Sequence, residues 1–198
     1  MPELLLATFN PGKIREYLVL LRGIPFQITT LAEQGIQEAV VESGTSYEQN
    51  ARLKAVTYAK LSQITALADD SGLEVDALDG APGVRSARLA GETATDRDKA
   101  DIILAELQGV PWEKRTACFK CVIVIATPEG QTNVCYGECR GVIAPQARGE
   151  NGFGYDPIFL VPEFGKTMAE LPPEIKNRIS HRALAGLKAR EVLLKLRV

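Results

Sequence analysis

Leu67-Ala68-Asp69-Asp70-Ser71-Gly72-Leu73 sets two adjacent carboxylates where the apolar run from Ile64 to Ala68 gives out. A small hydroxyl and a glycine follow at once. Acids at a strand end, on a turn that Gly72 makes easy, suit a divalent cation with hard oxygen ligands. Mg2+ usually keeps phosphates and waters in its remaining positions, so a phosphate-handling enzyme is the first expectation. A solvated β-turn carrying two acids is the plain alternative. A second set, Thr8-Phe9-Asn10-Pro11-Gly12-Lys13, falls at a predicted strand-to-helix junction. Backbone N–H groups at a helix N-terminus attract an anion. Thr8 and Asn10 add short donors and Lys13 a point charge, although the spacing is not that of a P-loop. His181, the single histidine, stands between Ser180 and Arg182, just after Lys176 and Arg178. It is either a packed or capping residue or part of a donor cluster suited to a purine O6 acceptor. Phe153, between Gly152 and Gly154, reads as an exposed ring on which a base could stack.

Those residues must be carried by elements that the pattern predicts as follows. Leu4 to Thr8 is a strand, and Lys13 to Leu21 a helix with Ile14, Tyr17, Leu18 and Leu21 on one face. Phe26 to Leu31 is a second strand. Thr45-Ser46-Tyr47-Glu48 has capping-box form and opens a helix to about Leu61, whose Ala51, Ala55 and Ala59 make a narrow packing face. Strands flank the Asp69-Asp70 turn. Gly80-Ala81-Pro82-Gly83 is a loop, and Thr95 to Leu107 is helical. Thr116–Thr127 and Thr132–Ile143 form an antiparallel hairpin across Pro128-Glu129-Gly130. Gly149 to Gly154 is a glycine-rich loop, and Ser180 starts a last helix with Leu184, Leu187 and Leu194 inward. Early strand–helix alternation followed by a long hairpin implies an α/β fold on a mixed sheet.

The 198 residues, 45% hydrophobic and 24% charged, suffice for one sizeable core, or for one domain, 1–198, folded as two lobes. A net charge of −2 without a long basic run argues against a nucleic-acid partner. The stretch Glu174 to Arg197 still holds seven Lys/Arg against two Glu, a local excess able to hold a small anion. No apolar stretch approaches the ~20 residues of a membrane helix, and Met1-Pro2-Glu3 lacks a signal-peptide n-region. No membrane association and a cytoplasmic location are therefore expected. Cys118, Cys121, Cys135 and Cys139 have zinc-like spacing, but strand parity puts Cys118 and Cys121 on opposite faces, so reduced structural cysteines are expected.

Five motifs occur in order: T-x-N-x-x-K at Thr8, Ala68-Asp69-Asp70-Ser71-Gly72-Leu73, Gly80-Ala81-Pro82-Gly83 with Ser86-Ala87-Arg88, Gly152-Phe153-Gly154-Tyr155-Asp156-Pro157, and Ser180-His181-Arg182. Together they resemble the inosine-triphosphate pyrophosphatase family, hydrolases of non-standard purine nucleoside triphosphates, over nearly the whole chain. The resemblance implies an elongated mixed α/β fold with two lobes around a central substrate cleft, a homodimer, and Mg2+-dependent cleavage of ITP, dITP or XTP to monophosphate and pyrophosphate. It implies that Thr8, Phe9, Asn10, Pro11, Gly12, Lys13 and Lys54 hold the triphosphate. Glu42 and Asp70 would bind the metal, with Asp70 also the general base, and Ser71 would touch substrate. Phe153, Gly154, Tyr155, Asp156, Lys176, His181 and Arg182 would receive the base. Asp69 stays open between direct metal contact and a supporting role. Phe9 stands where the family more often has Gly, and Val41 precedes Glu42 where relatives can have an acid. Two other readings differ in product: a nucleotide-sensing module that leaves triphosphate intact, and a pyrophosphatase for modified pyrimidine nucleotides.

Overall fold

Leu4, Leu5 and Leu6 are all fully buried, which in a strand means that both faces of the sheet are covered. In a computed structural model, residues 1–91 and 93–196 are described. The elements are β1 (Glu3–Leu6), α1 (Pro11–Leu20), β2 (Gln27–Thr30), α2 (Tyr47–Ser62), β3 (Thr65–Val75), α3 (Asp96–Glu106), β4 (Thr116–Ala126), β5 (Thr132–Ile143), β6 (Phe159–Val161), β7 (Lys166–Thr167), α4 (Pro173–Ile179) and α5 (His181–Lys195). The strands form one seven-stranded sheet in the order β2-β1-β3-β4-β5-β6-β7. β1 runs parallel to β2 and β3, whereas β6 is antiparallel to β5 and β7. The sheet is mixed, as expected.

The chain divides into two units. The first comprises Met1–Asp70, Cys121–Gly137 and Arg182–Val198, and its sheet strands alternate strictly. Leu4, Leu6, Leu67, Cys121, Ile123 and Ile125 join Tyr17 and Leu21 of α1 and Ala185, Ala189 and Leu193 of α5 in one core cluster. Leu5, Ala7, Ala66, Ala68, Val124 and Ala126 join Ala51, Ala55 and Ala59 of α2 in another. The second unit, Ser71–Lys120 and Glu138–His181, packs Leu73, Val75, Ile103, Phe119, Tyr155, Phe159 and Met168 in a single core.

Four local expectations need correction. No turn exists at Asp69-Asp70: β3 runs unbroken from Thr65 to Val75, with the acids 1% and 6% exposed. Buried carboxylates end a strand only when they lack partners, and here cations and an amide reach them. The cap of α2 is Ser46, whose hydroxyl accepts from the Gln49 N–H, one residue later than the capping-box reading. Leu18 of α1 is exposed, leaving Tyr17 and Leu21 as its buried face. In α5, Leu187 and Leu194 point outward while Ala185, Ala189 and Leu193 are buried. Small residues set that phase, because a Cβ on Gly186 would already lie 3.3 Å from Leu20 Cδ1.

Candidate active site

Neighbouring residues of a strand project to opposite faces, so β3 sends Asp69 and Asp70 in different directions. Asp69 shares the parity of Leu67 and faces α1 and α5; Asp70 shares that of Ala68 and faces α2. The two acids consequently acquire different partners.

Asp69 meets cations. Lys13 Nζ lies 2.9 Å and Arg182 Nη2 3.5 Å from its Oδ2, and the Cys121 thiol donates to the same oxygen at 3.7 Å. Burial by itself would raise the Asp69 pKa, but the charges of Lys13, Arg182 and Lys54 hold it well below the usual carboxylate range. Arg182 is almost wholly buried and also donates to Glu16 Oε2 at 2.8 Å. Burial opposes its charge, but Asp69, Tyr17 and Glu16 keep it firmly protonated.

Asp70 meets an amide and a lysine. Asn50 Nδ2 donates to its Oδ2 at 3.0 Å. Lys54, one helical turn along α2, pairs with Glu42 and feels the charges of Asp69, Glu42 and Asp70, which together outweigh its burial and raise its pKa. Burial pushes the Asp70 carboxyl up, and the nearby Glu42 charge adds to that, against the lowering effect of Lys54 and Asn50. A carboxylate with elevated proton affinity is better matched to taking a proton from water.

The Thr8–Lys13 segment is built as a helix start. Asn10 caps α1, its Oδ1 accepting the Lys13 N–H at 3.0 Å, and its own N–H donates to Thr8 Oγ1 at 3.2 Å. Pro11 occupies N1, where a missing N–H costs nothing, and Gly12 is buried. Phe9 is about half exposed, its ring edge-on to Tyr58 at 6.5 Å.

In the second unit, the Gly152–Pro157 loop is shaped by two carboxylates. Asp156 Oδ2 accepts the Phe153 N–H at 2.9 Å and pairs with Lys176, and Asp96 Oδ2 accepts the Gly154 N–H at 2.7 Å. Gly152 has φ +79°, and a Cβ there would overlap the Asp156 carboxylate and approach Lys176 Nζ to 2.9 Å. Lys176 Nζ lies 4.8 Å from the centroid of the half-buried Phe153 ring, a cation–π contact. Tyr155 is buried and donates to the Ser86 carbonyl at 2.8 Å. His181 is buried and stacks on Phe119 at 4.6 Å with planes 14° apart. Ser71 is partly exposed, just past Asp70 on β3.

The first unit thus gathers Lys13, Glu42, Lys54, Asp70 and Arg182, and the second gathers Phe153, Gly154, Asp156 and Lys176. Four partners escaped the sequence reading: Asn50, Glu16, Asp96 and Phe119. Only Asn50 carried a legible signal, an amide four residues before Lys54 beside an alanine face.

The donor set suits Mg2+. Glu42 and Asp70 share the neighbourhood of Lys54, and the Glu42 charge helps to raise the Asp70 carboxyl, so a divalent cation there would favour both ionised acids. Among the described residues no group of three or more His, Cys, Asp or Glu side chains could hold a metal. Two acids are what Mg2+ commonly takes from a protein when substrate phosphates and waters complete its shell.

The model of the Ham1 family matches residues 4–192. A dITP/XTP pyrophosphatase of Geobacter sulfurreducens is 50% identical over 190 residues, 95% of this chain and 96% of that one. One from Desulforamulus reducens is 49% identical over 194 residues, covering 98% and 96%. The solved structure of a HAM1 protein from Coxiella burnetii superposes with a TM-score of 0.90 at 40% identity, covering 99% of this chain and all of that one.

Proposed function

Because the chain belongs to the Ham1 family, we propose that it hydrolyses the non-standard purine nucleoside triphosphates dITP, XTP and ITP to monophosphate and pyrophosphate. It is a nucleoside-triphosphate pyrophosphatase, and its nearly full-length relatives carry that activity in their names. The observation that carries the reading is the grouping of Asp70, Glu42 and Lys54 on the α2 side of β3.

The reaction asks for a base beside water and positive charge along the triphosphate. Asp70 takes the proton from the attacking water. The water oxygen bonds to the α-phosphorus, the bond from that phosphorus to the α–β bridging oxygen breaks, and pyrophosphate leaves. Lys13, Lys54 and the start of α1 hold the phosphates, with Thr8 and Asn10 shaping the approach. Bound at Glu42 and Asp70, Mg2+ would supply further neutralisation of the triphosphate. Phe153 offers a stacking face, worth about 1–3 kcal/mol by analogy with bases on aromatics. Lys176 and His181 supply donors to a purine O6, with Gly154, Tyr155 and Asp156 framing that loop, and Ser71 contacts substrate. A pocket whose donors go unpaired with adenine discriminates by ~10⁴-fold or more. The working form is a homodimer in the cytoplasm. No described helix is long and apolar enough to cross a membrane.

The test is a panel of XTP, dITP, ITP, GTP, ATP and modified pyrimidine triphosphates with Mg2+, assayed for pyrophosphate and orthophosphate, with and without EDTA. Pyrophosphate from the first three, abolished by EDTA, is expected. Orthophosphate as product would move the cleaved bond, and intact XTP would leave a binding module.

A further inference from the structure

Asn50 is fully buried, and both ends of its amide are engaged. Its Nδ2 donates to Asp70 Oδ2 at 3.0 Å, and its Oδ1 accepts the Gly44 N–H at 2.8 Å. The partners fix the amide's orientation, since a backbone N–H can only donate and a carboxylate accepts. Gly44 lies two residues past Glu42, so one side chain ties the Glu42 loop to the Asp70 carboxylate.

We infer that Asn50 is a positioning residue that holds the two metal-binding acids, Glu42 and Asp70, in one geometry. The inference rests on the proposed function, from which it takes the roles of those two acids. Asp at position 50 would lack the donor and Leu would lack both groups, so the bridge needs an amide. Gly44 is part of the device. A Cβ there would lie 2.6 Å from Asn50 Oδ1 and 2.7 Å from Gln49 Cβ, so only glycine lets the loop descend to the amide. Lys54, one turn further along α2, pairs with Glu42, and Tyr58, a turn beyond, accepts the Val40 N–H at 3.1 Å, so the same helix face holds that loop at several points. Without the Gly44 contact the loop loses its direct link to the amide that holds Asp70. Without the Asp70 contact the carboxylate loses one of the hydrogen bonds that orient it.

Partners that orient metal ligands typically contribute about 10–100-fold in metal affinity. The probe is Mn2+, titrated into the nucleotide-free full-length protein and followed by the paramagnetic resonance of free Mn2+, for wild type, Asn50→Ala and Gly44→Ala. Thermal melting checks folding. Both variants are expected to bind Mn2+ about 10–100-fold more weakly, and to need correspondingly more Mg2+ for half-maximal XTP hydrolysis. Because Asn50→Ala opens a small cavity and could fail to fold, Gly44→Ala is an independent arm that leaves the Asn50 side chain in place. Mn2+ affinity within twofold of wild type in either folded variant overturns the inference, as does a wild type that hydrolyses XTP but binds no Mn2+. A wild type that leaves XTP intact overturns the proposed activity instead, a result that the Mn2+ titration does not depend on.

Discussion

Asp69 and Asp70 are chemically identical neighbours, and their surroundings divide the work between them. Asp70, with burial and Glu42 raising its proton affinity, is the proposed base. Asp70→Asn preserves the shape and the Asn50 neighbour but removes the proton acceptor. It should lower turnover by about 10²–10⁴-fold while nucleotide binding persists, measured by pyrophosphate release beside a fluorescent-nucleotide titration. Near-normal turnover would remove Asp70 from the mechanism. Asp69 instead balances two cations, with its own side chain fully out of solvent. Asp69→Asn leaves Arg182 and Lys13 under-compensated, and should cost about 3–5 kcal/mol in urea denaturation. The sign of its pH dependence follows from the depressed pKa. Its stabilisation is complete above the unfolded carboxylate range and is lost only as pH falls through the lower, folded value. The wild-type advantage over Asp69→Asn should therefore hold flat from pH 7 to 5, and a decline in that window would contradict the ion-pair assignment.

Elements act here through their spacing. α2 presents Asn50 and Lys54 at i and i+4, hence on one face, and β3 alternation turns Asp70 toward that face. The Gly152–Pro157 loop depends on the left-handed backbone of Gly152. Gly152→Ala should break the Asp156–Lys176 pair and displace Phe153. A loss of about 10²-fold in kcat/KM for XTP is expected, with a weakened preference over ATP. Unchanged preference would take the loop out of base recognition. The central strands also decide the cysteines. All four are buried, with burial pushing Cys121 up to about 12 and Cys139 up to about 11. A chromogenic disulfide reagent at pH 8 should find no reactive thiol in the native protein and all four after guanidinium. Stoichiometric zinc in the purified protein would instead restore the metal-framework reading of their spacing.

At the scale of the molecule, the chain passes between its two units at four points, and β3, β4 and β5 each contribute to both. Sedimentation equilibrium should return twice the 21.5 kDa chain mass for the proposed homodimer; a monomer mass would overturn that assembly. Much of the architecture was legible in local pattern. The strands β1, β4 and β5, the helix beginning near Thr95 and the alanine face of α2 were all readable, because periodicity is a short-range property. The site motifs could be read in order for the same reason. What only the tertiary structure decided was the setting of the charges. Two adjacent acids look like a turn until Arg182, 113 positions along the chain from Asp69, and Asn50, 20 from Asp70, are brought against them. Whether a carboxylate ends a strand or lies inside one depends on counter-charges from distant segments. No local window contains those partners, so burial, the division between Asp69 and Asp70, and the bridge through Asn50 emerged only on folding.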